Sequence, residues 1–395
     1  MTVTPQQAPK TNLIAYAQQL RAEAEARGEQ LPPLLPLHMG EPSFRTPDHI
    51  RRAAIATIEQ EPISYGPPPG WPWLRTLLAE KVTRVNGYTV RPENVVVTAG
   101  GTNALLASFQ ATLKPGDEVL ISDPCFPLYY LQLGTLGVKA VPYTLDPGND
   151  WLPDLEQMEK LITPRTRMLV INTPGNPTGA VFPPQLVHDL LDFARRHKLY
   201  LLSDECYDQL VFEGEHVSPG SLLTAGELES NTFIGVYSFS KTYAMTGWRV
   251  GYIVTGTGLI RRLEDILLAT HTNITLVAQR AAAAALTGPQ DCVEEMRAAY
   301  QHRRDLAVQL LQEYGRYVYT PHGAFYALID ISPREGRAAL DSADFAIKLL
   351  EEKQVLTSPG SSYGQVARQY IRISLAASEA DIEKGIRAIC ELADR

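Results

Sequence analysis

The sequence predicts an α/β protein with a mostly parallel central sheet covered by helices on both faces, joined to a smaller α+β domain. Three observations support this fold class. From about residue 48, short apolar runs alternate with longer helical stretches, which is typical of a parallel sheet between helical layers. After about residue 279 this alternation gives way to a long helical stretch with fewer strands. The length of 395 residues is sufficient for two or three domains.

The strand candidates of the larger domain are residues 94–98, 118–122, 167–173, 199–204, 232–237 and 249–255. Residues 104–113 and 186–197 have the spacing of helices that lie between these strands. In the smaller domain we expect helices over about 292–314 and from 342 and 379, and strands at 324–329 and 370–374. Residues 12–27 predict an amphipathic helix. The predicted domains are an N-terminal segment, 1–47, that packs on the small domain, a large domain, 48–285, and a small C-terminal domain, 286–395.

Composition and charge exclude several classes of partner. The net charge of −8 argues against a nucleic-acid partner, which requires a basic surface. No apolar run approaches the ~20 residues of a membrane span, and the N-terminal MTVTPQQAPK lacks the apolar segment of a signal peptide. The four scattered cysteines indicate neither a metal site nor a disulfide framework, so we expect a reducing, cytoplasmic setting.

The segment SFSKTYAMTGWRVGY places Lys241 directly after a predicted strand. A lysine in a pocket at a strand end can form a Schiff base with a carbonyl cofactor. The hydroxyls of Ser238 and Ser240 could donate to a phosphate, and Arg249 could form a charged pair with it. A solvated surface lysine and arginine are the alternative reading.

Two further strand ends carry polar side chains. In LLSDECYDQL, Asp204 ends an apolar run, where parallel sheets place ligand groups. A buried carboxylate needs a cationic partner, and a protonated pyridine nitrogen would serve; a helix N-cap is the alternative. In INTPGNPTG, Asn176 could both donate and accept hydrogen bonds, although a plain turn would have the same composition.

The segment VVVTAGGTNALLASF predicts an anion cradle at a helix start, with Gly100, Gly101 and Thr102 facing a phosphate. Phe126, between prolines in SDPCFPLYY, could present its ring to a flat heterocycle or simply belong to the core. In QYIRISLA, Arg372 lies within an otherwise apolar strand, so it is either solvated or held for an anion such as a substrate carboxylate.

Taken together and in this order, these segments resemble the class I and II aminotransferases of the fold-type I pyridoxal-phosphate superfamily, from MGEPSF at Gly40 to Arg372. The resemblance implies pyridoxal 5′-phosphate as the cofactor, bound to Lys241, which also serves as the acid and base of the proton shift. It implies further roles for the remaining candidates: Asp204 at the ring nitrogen, Asn176 and Tyr207 at the ring 3′-oxygen, Phe126 on the ring, Gly100, Gly101, Thr102, Ser238, Ser240 and Arg249 at the phosphate, and Arg372, Gly40 and Asn176 at the substrate.

The resemblance also implies a homodimer, in which Tyr65 reaches the phosphate of the partner subunit. Two positions depart from the family pattern. Phe126 stands where relatives often have tyrosine or tryptophan, and Thr102 stands where some dicarboxylate-specific relatives have lysine. Thr102 argues against an aspartate substrate, and Phe126, Tyr129 and Tyr363 give the site aromatic surroundings. We therefore expect transfer of the amino group from a neutral, aromatic or branched L-amino acid to a 2-oxo acid.

Two alternatives remain at this level. Another activity of the superfamily would use the same residues, for example a C–S or β-lyase, an aminocyclopropane-carboxylate synthase-like enzyme or an oxygen-using enzyme. An aminotransferase-like regulator would carry an additional DNA-binding domain, for which we find no spare length before residue 12.

Overall fold

The computed structural model describes residues 12–334 and 340–395. Two compact units are distinguished. The first consists of the described residues of Met1–Gly40, Tyr300–Thr320 and Phe325–Arg395, and the second of Glu41–Ala299 and Pro321–Ala324. No helix in the described ranges combines the length and apolar character needed to cross a lipid bilayer.

The strands, in chain order, are β1 (Leu35–Pro36), β2 (Val95–Thr98), β3 (Glu118–Asp123), β4 (Lys139–Asp146), β5 (Leu152–Pro153), β6 (Thr166–Asn172), β7 (Tyr200–Asp204), β8 (Phe233–Ser238), β9 (Gly251–Thr255), β10 (Tyr326–Asp330), β11 (Val355–Leu356), β12 (Ser358–Pro359) and β13 (Tyr370–Ser374). The helices are α1 (Leu13–Ala26), α2 (Asp48–Gln60), α3 (Pro72–Lys81), α4 (Gly101–Thr112), α5 (Leu128–Thr135), α6 (Leu155–Glu159), α7 (Pro184–His197), α8 (Ala225–Glu229), α9 (Phe239–Thr242), α10 (Thr257–His271), α11 (Leu276–Thr287), α12 (Asp291–Glu313), α13 (Ser342–Lys353) and α14 (Glu379–Ala393).

The second unit is built on an eight-stranded sheet of order β2-β9-β8-β7-β6-β3-β4-β5. Strands β4, β3, β6, β7 and β8 run parallel to one another. Strand β5 runs antiparallel to β4, and β9 runs antiparallel to both β8 and β2. Because β2 therefore runs in the direction of β8, the carboxyl ends of β2, β3, β6, β7 and β8 lie at one edge of the sheet. This confirms the predicted mostly parallel sheet.

Helices cover both faces of this sheet. On one face, α4, α5 and α10 form a core with alternate strand residues such as Val170 and Leu202. The intervening residues, such as Leu169 and Leu201, are also fully or nearly fully buried, so the opposite face is covered as well. Strands buried on both faces need nearly continuous apolar runs, which explains why β6 and β7 were recognisable in the sequence.

The first unit contains a three-stranded antiparallel sheet, β10-β13-β12. Helix α1 packs on α13 through Tyr16, Ala17 and Leu350, beside Leu356 of the short strand β11. Helix α14 begins at Glu379 as predicted, because the Ser378 side chain accepts a hydrogen bond from the Asp381 N–H and caps it.

The structure differs from the expected strands at two places. No strand was predicted at β4, whose burial is low and whose interior contains Pro142, a residue that weakens a strand pattern. Arg249 was predicted to lie inside a strand, which is wrong because β9 begins at Gly251. Arg249 instead has a left-handed backbone with φ 56° and ψ 55°, so the chain turns there before the strand begins.

Candidate active site

The sequence-predicted residues of the second unit collect at the carboxyl edge of its sheet. Asn172, Asp204 and Ser238 are the last residues of three neighbouring parallel strands, and Asn172 lies opposite Asp204 in register. Farther along the edge, Thr98 is opposite Gly251, which is opposite Ser238. The edge therefore joins segments that are distant in the chain, which is where α/β folds bind ligands.

Asp204 is a buried carboxylate at the centre of this edge, with 5% of its surface exposed. It accepts hydrogen bonds from the Tyr129 hydroxyl at 2.6 Å and from the Cys206 N–H at 3.3 Å. Burial raises the pKa of the Asp204 carboxyl above its usual value, while the bond from Tyr129 opposes that rise. Within the described ranges, Asp204 forms no ion pair with a cationic side chain, so a cationic ligand group would be stabilised there.

The glycine turn before α4 lies next to Arg249. Gly100 has φ 80° and ψ 174°, a conformation that essentially only glycine adopts. A Cβ on Gly100 would lie 2.8 Å from Arg249 Nη2, and one on Gly101 would lie 2.8 Å from Cys206 Sγ. The Arg249 guanidinium donates to the carbonyls of Thr246 and Ala99 at 2.8 and 3.2 Å. A cationic side chain and the amino end of a twelve-residue helix thus adjoin one turn, an arrangement suited to an anion.

Lys241 lies on the single-turn helix α9, which begins immediately after β8. The Ser238 side chain caps this turn by accepting a hydrogen bond from the Ser240 N–H at 3.1 Å. Lys241 is half-buried, and its positive charge acts on the nearby Cys206 thiol. Cys206 also hydrogen-bonds Asp204, so Lys241, Cys206 and Asp204 belong to one cluster.

The remaining candidates of the second unit differ in position. The Asn176 N–H donates to the Asn172 side chain at 2.8 Å, which ties the TPGNP turn to the end of β6. Tyr207 is buried, three residues after Asp204. Phe126 follows β3 and meets Tyr129 edge-on, with ring centroids 5.7 Å apart. Thr102 lies in the first turn of α4, and its carbonyl accepts from Gln132 at 2.9 Å.

Arg372 and Gly40 belong to the first unit. Arg372 is 5% exposed, and its guanidinium carbon lies 4.3 Å from the ring centroid of Tyr326 and 5.1 Å from that of Tyr363. Its Nη2 donates to the His38 carbonyl at 2.5 Å and to Ser358 Oγ at 3.2 Å. A Cβ on Gly40 would lie 3.0 Å from the Tyr326 hydroxyl. Arg372 is therefore held by two aromatic rings and neutral acceptors.

From the sequence, Tyr129 was expected only as one of the aromatic residues around the site, and Cys206 was given no role, although both hydrogen-bond Asp204. Burial raises the pKa of the Tyr129 phenol well above its usual value, with the negative charge of Asp204 adding to the rise, so Tyr129 remains a donor. Tyr129 lies three residues after Phe126, a spacing that could have suggested that the two side chains are neighbours. Nothing in the local sequence, however, identifies Asp204 as the partner of the Tyr129 hydroxyl. Tyr65, by contrast, is 85% exposed in this chain.

The residues at the sheet edge fit pyridoxal phosphate. The buried carboxylate of Asp204 matches a protonated ring nitrogen. The turn at Gly100 and Gly101 brings the start of α4 within close contact of the Arg249 guanidinium, and backbone N–H groups next to a cation suit a phosphate. Lys241 offers a primary amine for the cofactor aldehyde, while Asn176 and Tyr207 carry polar groups suited to a ring oxygen. The donor set thus contains a complementary group for each polar part of this cofactor.

Comparison with known proteins agrees with this fit. A family model described as aminotransferase class I and II matches residues 32–389. An aspartate/prephenate aminotransferase of Thermus thermophilus is 39% identical over 92% of this chain and 91% of that protein. An arginine–pyruvate transaminase of Pseudomonas aeruginosa is 36% identical over 95% of this chain and 94% of that protein. The solved structure of a Thermus thermophilus aspartate aminotransferase with maleate has a TM-score of 0.87 at 37% identity, covering 98% of this chain and 97% of that chain.

Proposed function

This chain belongs to the class I and II aminotransferase family, and we propose that it transfers the amino group of a neutral, aromatic or branched L-amino acid to a 2-oxo acid. The family depends on pyridoxal phosphate, which is the cofactor of this enzyme. The relatives act on donors as different as aspartate and arginine by name, so family membership leaves the donor open. The observation that carries our choice is the uncharged Thr102 in the first turn of α4.

When bound, pyridoxal phosphate supplies a conjugated ring that can delocalise the negative charge left when the substrate α-carbon loses its proton. In the proposed arrangement, the Asp204 carboxylate keeps a proton on the ring nitrogen, because a buried anion stabilises a cation next to it. The ε-amino group of Lys241 holds the cofactor and, once released, moves the proton. Asn176 and Tyr207 hydrogen-bond the ring oxygen, and Phe126 excludes water from one ring face.

The phosphate and the substrate carboxylate are assigned to separate cationic groups. We assign the phosphate to Gly100, Gly101, Thr102, Ser238, Ser240 and Arg249. Arg372 is assigned to the α-carboxylate, with Gly40 and Asn176 beside the substrate. Anchoring both ends of the reacting molecule fixes the bond to be broken, which is the main benefit of positioning in a reaction of this kind.

The donor proposal predicts the outcome of a screen of purified holoenzyme. Leucine, phenylalanine and tyrosine should each be used better than aspartate with 2-oxoglutarate or pyruvate as acceptor, because an unpaired second carboxylate is poorly accommodated beside Thr102. Formation of the new amino acid and the loss of the cofactor aldehyde absorbance are the measurements. A clear preference for aspartate would contradict the donor proposal, and release of ammonia or peroxide without a new amino acid would contradict aminotransfer itself.

Arg372→Met should lower kcat/KM for α-amino acids by about a hundredfold or more, since one charged, forked hydrogen-bond pair is worth about 2–4 kcal/mol. Arg372→Lys should recover only part of this, because an ammonium group lacks the fork. Simple amines without a carboxylate serve as the control substrates and should lose little. An equal loss with amines would indicate that Arg372 supports folding instead.

We also propose that the enzyme is a cytoplasmic homodimer in which Tyr65 contributes to the partner's phosphate site. Four exposed apolar side chains support a protein interface on the second unit: Ile55 and Ile58 on α2, and Ile63 and Tyr65 on the following loop. Apolar groups gathered in this way favour association with another surface, and a symmetric pair is the commonest oligomer. All four cysteines are free thiols, which suits a reducing compartment.

Complementation tests the shared site. Lys241→Ala and Tyr65→Ala chains, unfolded together and refolded, should form hybrids in which one site carries both defects and the other is intact. Activity should therefore rise above that of the Tyr65→Ala chains refolded alone at the same concentration. If Tyr65 serves its own chain, every hybrid site carries a defect and no rise occurs. A monomer by light scattering would exclude the shared site directly.

A further inference from the structure

A buried ion pair lies behind the candidate site, in the same unit. Lys81, the last residue of α3, forms a salt bridge with Asp208, and the two side chains are 6% and 5% exposed. Asn86 bonds both partners: its carbonyl oxygen accepts from Lys81 at 2.8 Å and its amide donates to Asp208 at 3.0 Å. A buried ion pair with this arrangement is costly to desolvate and seldom adds net stability, so its position calls for an explanation.

The anionic partner belongs to the segment that carries the predicted cofactor residues. Asp208 directly follows Tyr207 and is four residues beyond Asp204. Glu205, in the same segment, is fully buried and accepts a hydrogen bond from Ser218 at 2.8 Å. Each carboxylate from Asp204 to Asp208 is therefore held by separate buried partners, and the bond to Lys81 fixes the end next to Tyr207.

The cationic partner also contacts the segment that carries Lys241. Lys81 Nζ lies 5.0 Å from the ring centroid of Tyr237, a residue that immediately precedes Ser238, and 6.0 Å from that of Tyr252. The two tyrosine rings stack at 4.9 Å. A small cavity beneath α9 is lined by Lys81, Asp208, Ser238, Phe239 and Thr242, among others. One ammonium group thus holds the Tyr207 segment and the Lys241 segment against each other.

We propose that Lys81 is a positioning residue of the aminotransfer reaction, setting the distance between Tyr207 and Lys241 through its pair with Asp208 and its contact with Tyr237. This inference rests on the proposed function, since it concerns the geometry of those two residues around the cofactor. Lys81 itself touches neither cofactor nor substrate in this assignment. A shift of either segment would change where the Tyr207 hydroxyl and the Lys241 amine meet a bound cofactor, and with it the proton affinity of that amine.

The test compares holoenzymes reconstituted with pyridoxal phosphate. Lys81→Met removes the cation of this pair, and Arg316→Met removes a second buried cation, Arg316, which pairs with the half-buried Asp394 at 2.6 Å in the other unit. Both variants should melt several degrees below wild type, because each removes a buried cation together with the hydrogen bonds and the ion pair that it makes. Only Lys81→Met should also lower kcat, by about tenfold to a hundredfold, and shift the pH midpoint of the cofactor absorbance by about half a unit or more.

Asp208→Asn covers the case in which Lys81→Met does not fold, since asparagine preserves the shape and one acceptor for Lys81. It should shift the same midpoint in the same direction by a smaller amount. A wild-type midpoint and kcat in Lys81→Met, or in Asp208→Asn if only that variant folds, would overturn the inference and leave a purely structural pair. A wild-type protein that neither binds pyridoxal phosphate nor transfers amino groups would overturn the proposed function instead.

Discussion

Lys241→Ala should abolish nearly all aminotransfer, with turnover lower by several orders of magnitude, while the protein still folds and binds pyridoxal phosphate. The reason is that the ε-amino group is assigned both the covalent attachment and the proton transfer, and each of these steps needs a nitrogen at that position. The cofactor should remain bound because Asp204 and the phosphate cradle are unchanged. Turnover and equilibrium dialysis with the cofactor measure the two effects separately.

Borohydride reduction followed by peptide mapping tests the assignment independently of activity. The wild-type protein should carry a pyridoxyl group on Lys241, and the variant should carry none. Lys348→Ala is the matched control, because Lys348 lies at the surface of α13 in a loose 3.9 Å pair with Glu352, and it should retain full turnover. A pyridoxyl group on any other lysine of the wild-type protein would show the assignment to be wrong.

Asp204→Asn should lower turnover by about a hundredfold to several thousandfold. This corresponds to the about 3–5 kcal/mol that a buried charge partner contributes when its counterpart is left unpaired. Asparagine has nearly the same shape, and the Tyr129 hydroxyl can turn from donor to acceptor toward its amide group. Glu205→Gln provides the control: it removes a buried negative charge one residue away that bonds Ser218 and His216, and it should cost much less turnover.

Asp204→Asn should lower turnover, but it should raise the stability of the cofactor-free protein. Because burial raises the pKa of Asp204 above its usual value, its contribution to stability is fully present below a pH of about 4 and is lost as the pH rises through the folded pKa. Asparagine does not ionise. The melting temperature of cofactor-free Asp204→Asn should therefore exceed that of wild type at neutral pH, by a margin that first grows with pH and then levels off.

Melting curves of the cofactor-free wild type and Asp204→Asn, recorded from about pH 5 to about pH 8, measure this difference in melting temperature. Adding pyridoxal phosphate should reverse the order, because the wild-type carboxylate then has a cationic partner. If the variant is the less stable protein at neutral pH without cofactor, Asp204 is a structural carboxylate whose ionised form the fold already stabilises.

The position of each chemical group along the chain could be predicted from the sequence, because the signals are local. Apolar runs buried on both faces gave β6, β7 and β8, and the polar residue that closes each run marked the sheet edge. The glycines before α4 signalled a turn because Gly100 requires a backbone with positive φ. The charge of Arg372 in an apolar strand was visible for the same reason, since burying it has a cost that must be compensated.

The partners of these groups could only be found in the tertiary structure. Strand β9 pairs with both β2 and β8, so the carboxyl ends of β2 and β8 lie at the same edge of the sheet. No local pattern in the sequence specifies that strand order. Arg249 reaches the glycine turn through a left-handed residue that its sequence context did not indicate. Likewise, Tyr129 meets Asp204, and Lys81 meets Asp208, only because helices on different parts of the sheet pack toward the same buried region. Hydrogen bonds and ion pairs between distant segments depend on how the chain is packed, so the sequence determined which groups the site contains, and the packing decided which of them interact.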